Sequence, residues 1–219
     1  MPIVHVGIVG GTGPAGMGLA LRLAAAGAEV TVGSRTAERA REKVDEAVAK
    51  WADRALRLTG DLNEGAAAAD IVVMATPWDA AVVTGRGLAA PLAGKVVVSM
   101  ANALQRVGDE FQPLIPARGS VAESLQAALV DSHIGAAFQH VPARLLADLD
   151  HDMDCDVLVC ADRPEAFEQT ERLVAMVPGL RPVVAGTLSL AGAVEAFTAV
   201  LLNVNVRHKA RASIKLTGL

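Results

Sequence analysis

The sequence has no tyrosine, which excludes any dehydrogenase mechanism that relies on a Tyr general acid. Four phenylalanines and two tryptophans bring aromatics to only 3% of the 219 residues, so a core has to be assembled from aliphatic side chains. Two cysteines, Cys155 and Cys160, are too few for a disulfide framework or a four-cysteine zinc site, and no metal centre is expected. Basic charge is also short. Lys and Arg number 20 against 24 Asp and Glu, a formal charge of −4, whereas a general nucleic-acid binder needs a basic face. No targeting leader is expected, because the apolar N-terminal stretch lacks basic residues and carries glycines at fixed offsets. One run, Leu188 to Val206, is long enough to raise the question of a membrane helix. It contains Glu195, Asn203 and Asn205, and a carboxylate at its centre favours an amphipathic helix buried in the protein. The expectation is a soluble cytoplasmic protein in a reducing compartment, with no nucleic-acid or membrane partner.

What the sequence does have is hydrophobic content of 52% in a regular alternation. Val4–Val9 is a continuous apolar run, as expected of a strand buried on both faces. Pro14–Ala26 suits a helix, with proline in the first turn and Gly27 just past the end. Glu29–Gly33 is a second strand, followed by a helix capped by Thr36. Ala55–Thr59, Ile71–Ala75, Lys95–Met100, Ile134–Phe138, Asp156–Ala161 and Arg181–Val184 are further strands. Asp61 with Glu64, and Ser120 with Glu123, have the capping-box spacing that opens a helix, and Pro164–Val177 is also helical. Such alternation predicts an α/β fold, a Rossmann-type doubly wound parallel sheet. Thr187–Leu219 lacks a strand signal. The expected organisation is a dinucleotide-binding domain over 1–186 and a small helical C-terminal unit over 187–219.

Val6–Gly16 reads VGIVGGTGPAG, which contains Gly11-x-Gly13-x-x-Gly16. Gly11 permits the tight turn out of the strand, Gly13 lets backbone approach a pyrophosphate, and Gly16 lets the helix pack on the strand. The helix N-terminus then offers unpaired N–H groups to the anion. An NAD-specific fold usually places an acid at the end of the second strand, for the ribose 2′-OH. Here the sequence is Gly33-Ser34-Arg35, with Arg39 one helical turn further on. Ser34, Arg35 and Arg39 make a pocket for a 2′-phosphate, hence for NADP(H). The alternative is that both arginines are solvated and paired with Glu38 and Glu42. Thr76-Pro77-Trp78 follows the fourth strand, at the ligand-binding edge of such sheets. It suits either a wall beside a nicotinamide or an ordinary turn with a packed Trp. Among proton donors, His140 is the best placed, although a histidine at a strand end is more often structural. No catalytic acid–base residue is therefore assigned, and an acceptor that is itself a redox cofactor fits better.

The segments GGTGPAG, VGSR, ATPW, FQHVPA and GLRPVVAGTLSLAGAVEAFTAVLLN together resemble the NADPH-dependent oxidoreductases of coenzyme F420. The resemblance covers almost the whole chain. It implies reversible hydride transfer between nicotinamide C4 and deazaflavin C5, with the two rings held face to face at about 3–3.5 Å, and it implies a homodimer. It assigns Thr12, Pro14 and Ala15 to the pyrophosphate loop, and Thr76, Pro77 and Trp78 to the ribose and nicotinamide side. His140 and Val141 would border the stacked rings, and Thr187, Leu188 and Ser189 the deazaflavin pocket. The sequence departs from the family at Leu190–Ala193, where a polar or basic residue is common. Arg207, Lys209, Arg211 and Lys215 make the C-terminal segment basic, either to attract the deazaflavin's anionic tail or as solvated end charge. Competing activities on the same scaffold are reduction of a small imine, keto acid or metal ion by NADPH, and non-catalytic NADP sensing.

Overall fold

The computed structural model describes residues 4–219. The first three residues of the expected 1–186 domain lie outside the described residues. The chain runs β1 (His5–Val9), α1 (Pro14–Ala25), β2 (Glu29–Ser34), α2 (Ala37–Lys50), β3 (Leu58–Leu62), α3 (Asn63–Ala67), β4 (Ile71–Met74), α4 (Trp78–Gly87), α5 (Ala89–Leu92) and β5 (Val96–Ser99). It continues with β6 (Leu104–Val107), β7 (Glu110–Pro113), α6 (Val121–Ala128), β8 (His133–Ala136), α7 (Ala143–Leu146), β9 (Cys155–Ala161), α8 (Pro164–Ala175) and β10 (Leu180–Gly186). A 3₁₀ turn (Leu188–Leu190) leads into α9 (Ala191–His208).

Eight strands form one sheet in the order β10-β9-β8-β5-β4-β1-β2-β3. The six from β8 to β3 are parallel and follow the doubly wound order, with its switch point between β1 and β4. The sheet is not wholly parallel: β9 pairs antiparallel with β8. The link between them carries only the four-residue α7, without the long crossover helix that usually makes a parallel return. Apolar clusters fill both faces, with Val6, Ile8, Val32 and Val73 on one side and Val72, Met74, Val97 and Ile134 on the other. Burial on both faces is why these strands are continuous apolar runs.

Local corrections have local causes. Asp61 does not cap α3; its carboxylate accepts from the amide of Leu62 next to it, and β3 extends through Leu62. Ser120 does cap α6, accepting from the Glu123 amide at 2.9 Å. The hairpin β6–β7 was not expected from sequence. Its strands expose Gln105, Arg106, Glu110 and Gln112 and so lack an apolar alternation.

Leu188–Val206 forms a 3₁₀ turn and most of α9, with a mean hydropathy of 1.4 over its most apolar window. Three of its polar residues, Glu195, Asn203 and Asn205, each hold a different segment. The Glu195 carboxylate accepts from the amides of Val121 (3.0 Å) and Ala122 (3.2 Å) at the N-terminus of α6. Asn203 exchanges two 2.8 Å bonds with the Phe111 backbone in β7. Asn205 pairs with the Ala212 backbone in the C-terminal segment. The helix is only half buried, however. Its outer face exposes Ala193, Phe197 and Val200.

Beyond α9 the chain returns to β9. Ile214 O accepts from the Asp156 amide, and the Leu216 amide donates to the Asp156 carboxylate. Asp156 lies at the start of β9, where its side chain is fully buried in a two-pronged pair with Arg181 at 2.8 and 2.6 Å. The Arg181 guanidinium holds its carboxyl down at about 2. Three of the four basic residues meet acids: Arg207 with Glu110, Arg211 with Asp148, and Lys215 with Asp154. Cys155 and Cys160 are buried free thiols, and burial pushes Cys160 up to about 11.

Candidate functional site

A cleft of about 650 Å³ opens at the carboxyl ends of β1, β2, β4 and β5, within the usual size range of ligand sites. Its floor is the turn from β1 into α1. Gly13 is the N-cap of α1, Pro14 is the first helical residue, no side chain caps the helix, and its first turn has no acid. The leading amides have no intrahelical acceptor and, with the helix dipole, favour an anion. Each glycine of the motif has a distinct steric reason. A Cβ on Gly11 would meet Ile8 O at 2.8 Å, and one on Gly16 would meet Gly11 Cα at 2.8 Å and Ala75 Cβ at 3.0 Å. A Cβ on Gly13 would meet nothing within 4 Å. It would project only into the cleft.

One end of the cleft is lined by Ser34, Arg35 and Arg39. Ser34 is buried at the end of β2, and both arginines are exposed. Among the described residues neither arginine forms an ion pair, so the alternative pairing with Glu38 and Glu42 is not found. Thr36 caps α2 and fixes where Arg39 leaves the helix. Thr76, Pro77 and Trp78 line the middle, and Met100, Ala101, Asn102 and Leu104 line the far end. Thr12, Gly13, Pro14, Ala15 and Gly16 complete the cleft.

Sequence reasoning missed two residues here. Asn63 accepts from the Gly10 amide at 3.0 Å, tying the start of α3 to the glycine turn. Asn102 follows β5 and donates to Gln139 O at 2.9 Å. Both are polar residues just past a strand at the ligand edge, and that position was the available signal.

His140, Val141, Thr187, Leu188 and Ser189 do not line this cleft. His140 is 3% exposed, and its Nε2 accepts from the Leu158 amide at 3.2 Å. It thereby partners a β9 amide beyond the reach of β8. Val141 is buried beside it. Leu188 is buried and donates its amide to Asp162, while the Thr187 and Ser189 hydroxyls meet at 2.8 Å on an exposed turn. The departure at Leu190–Ala193 has a steric side: a Cβ on Gly192 would lie 2.5 Å from Gly119 O, so no side chain fits there.

Burial acts in opposite directions on two buried groups outside the cleft lining. It pulls His140 down to about 4, with Asp156 opposing, and pushes Glu195 up to about 7, with the α6 amides opposing and Glu123 adding to the rise. Between pH 4 and 6.5 the unfolded chain binds a proton that folded His140 refuses, so this group makes stability rise with pH. Between pH 4.5 and 7 folded Glu195 keeps a proton that the unfolded chain has released, so this group makes stability fall with pH. Each is worth ~3 kcal/mol across its window, and they offset one another. Urea unfolding between pH 4.5 and 6.5 is expected to show a gentle slope for the native chain, a rising one for Glu195→Gln and a falling one for His140→Gln. Native slopes in both variants would contradict the assignment.

Comparison with known proteins identifies the family. Residues 5–103 match the family described as NADP oxidoreductase, coenzyme F420-dependent. The F420-dependent NADP reductase of Methanocaldococcus jannaschii is 36% identical over 222 residues, covering 99% of each chain. That of Methanothermobacter thermautotrophicus is 32% identical over 223 residues, covering 99% of this chain and 96% of its own. Among solved structures, a candidate F420-dependent NADP reductase from Arthrobacter sp. FB24 superposes with a TM-score of 0.82 at 22% identity, over 98% of this chain and 99% of its own. That likeness speaks to the fold. The matches extend over nearly the whole chain, and the chain belongs to the family of F420-dependent NADP reductases.

Proposed function

We propose that the cleft binds NADP(H) across the β1–β4 switch point and that the chain transfers hydride reversibly between it and the deazaflavin coenzyme F420. The observation that carries this reading is the arginine end of the cleft. Ser34, Arg35 and Arg39 stand free of acids where an NAD-binding fold would present a carboxylate, in a chain related over its full length to F420-dependent NADP reductases. When both coenzymes are bound, hydride passes between nicotinamide C4 and deazaflavin C5, with one proton taken from or given to solvent. The residues of this chain bind and orient. The α1 amides and Gly13 receive the pyrophosphate, Arg35 and Arg39 the 2′-phosphate, and Thr76, Pro77 and Trp78 flank the ribose and nicotinamide. No residue serves as nucleophile or obligatory base.

The 187–219 unit supplies the deazaflavin side. Thr187 and Ser189 offer exposed hydroxyls there. Leu188, His140 and Val141 are buried and act from behind, the latter two through the neighbouring Gln139 peptide.

A homodimer is supported by α9. Ala193, Phe197 and Val200, spaced for one helix face, are exposed together, and the charged residue between Leu190 and Val206, Glu195, is buried. Residence in the cytoplasm is supported by two free buried thiols. Phe197→Asp is expected to yield a monomer by light scattering where the native chain gives a dimer; an unchanged mass would exclude α9 as the interface.

The reading is tested with NADPH deuterated at the transferred position. Mixed with oxidised F420 in ordinary water, it is expected to deliver deuterium directly to the reduced deazaflavin. Reduced F420 without the label would mean that hydride is not passed ring to ring.

A further inference from the structure

The far end of the cleft carries an amide whose oxygen has no hydrogen-bond partner. Asn102 lies three residues past the end of β5, beside Met100, Ala101 and Leu104, at the opposite end from Arg35 and Arg39. Its Nδ2 donates to Gln139 O at 2.9 Å. Flipping the amide would set Oδ1 against that carbonyl, two acceptors face to face, so the orientation is fixed. Oδ1 is buried and accepts from nothing among the described residues. A buried unpaired acceptor is costly.

The surroundings hold it there at further cost. Gln139 is 4% exposed, and its Nε2 donates to Ser99 O at 3.2 Å, on the end of β5. The turn that brings Gln139 to Asn102 passes through Phe138, whose φ is +70°. A buried aromatic residue in the left-handed region is a strained outlier, and such strain collects at ligand sites. Nearby in the same cleft, Thr76 Oγ1 is also buried and unpartnered.

We propose that Asn102 is the positioning residue for the nicotinamide ring, its Oδ1 accepting a hydrogen bond from the ring's carboxamide N–H. The inference rests on the NADP reading of the cleft. The nicotinamide end is the end away from the 2′-phosphate pocket, and the carboxamide carries a donor that an unpaired buried acceptor can take. With the ring held by its substituent, one face is kept toward the deazaflavin. The deazaflavin's pyrimidine edge also carries a ring N–H, and the test separates the two sources.

The experiment titrates the native chain and Asn102→Ala with NADP⁺ and with its 3-acetylpyridine analogue, in which the carboxamide N–H₂ is replaced by methyl. The native chain is expected to bind NADP⁺ about tenfold more tightly than the analogue, and Asn102→Ala to bind the two alike. Adenosine 2′,5′-bisphosphate, which lacks the nicotinamide, is expected to bind both proteins equally and so reports an intact fold. Equal affinities in the native chain would overturn the proposal without any variant. So would discrimination that survives in Asn102→Ala, or a loss that falls on F420 affinity instead of NADP⁺. Failure of NADP⁺ to bind the native chain at all would instead overturn the NADP reading itself.

Discussion

Gly13→Ala is expected to leave the fold intact and to weaken NADP(H) binding about a hundredfold, ~2.7 kcal/mol. Gly13 has φ −77° and ψ 166°, extended backbone that alanine adopts freely. Its Cβ would meet no protein atom within 4 Å. As the helix N-cap, alanine in place of glycine costs up to ~1 kcal/mol, so the melting temperature should fall by a few degrees at most. The new methyl projects only into the cleft, where a pyrophosphate needs the backbone close. Gly16→Ala is the informative contrast. There the methyl meets Gly11 and Ala75 inside the protein, so stability and binding fall together. Calorimetric titration with NADPH beside a thermal melt separates the two cases. Undiminished affinity in Gly13→Ala would place the pyrophosphate elsewhere.

Arg35→Ala is expected to remove most of the preference for NADPH over NADH. A hydrogen bond to a charged group contributes ~1.5–3 kcal/mol, or roughly ten- to a hundredfold in affinity. Arg35 lines the cleft and is unpaired among the described residues, so its removal strands no partner acid and the fold has no stake in it. NADH has no 2′-phosphate and should bind the variant nearly as it binds the native chain. Arg39→Ala should act in the same sense, since both side chains reach the same end of the cleft. Equal losses for the two dinucleotides would show that Arg35 touches something common to both.

These two residues were legible in the sequence because a regular fold fixes where they stand. A strand, a glycine turn and a helix put Gly13 over the anion site, and the end of the next strand puts Arg35 beside it. Most strands could be found for the same reason, since Val72–Met74 or Val96–Val98 is an apolar run that a sheet covered on both faces explains. What was not legible depends on tertiary partners. The reversed strand β9 has no local sequence signal, and the β6–β7 hairpin is held by Asn203, a residue 92 positions away from Phe111. Asn102 looked like any loop residue until Gln139 came beside it. His140 was visible as a histidine near the site, but its bond to the Leu158 amide requires knowing that β9 runs past the end of β8. Asp156 shows the same limit. The strand Asp156–Ala161 was legible, but the pairing with Arg181 that buries the Asp156 carboxylate depends on β10 lying beside it.

The most direct measurement mixes the purified protein with NADPH and oxidised F420 and follows the deazaflavin's visible absorbance, with NADH as the control. Rapid bleaching with NADPH and little with NADH is the predicted result, and it would fix reaction and cofactor choice together. No bleaching from a protein that still binds NADPH would contradict the account, and the Leu190–Ala193 turn, where Gly192 leaves no space for a side chain, would be the first place to look for a different second substrate.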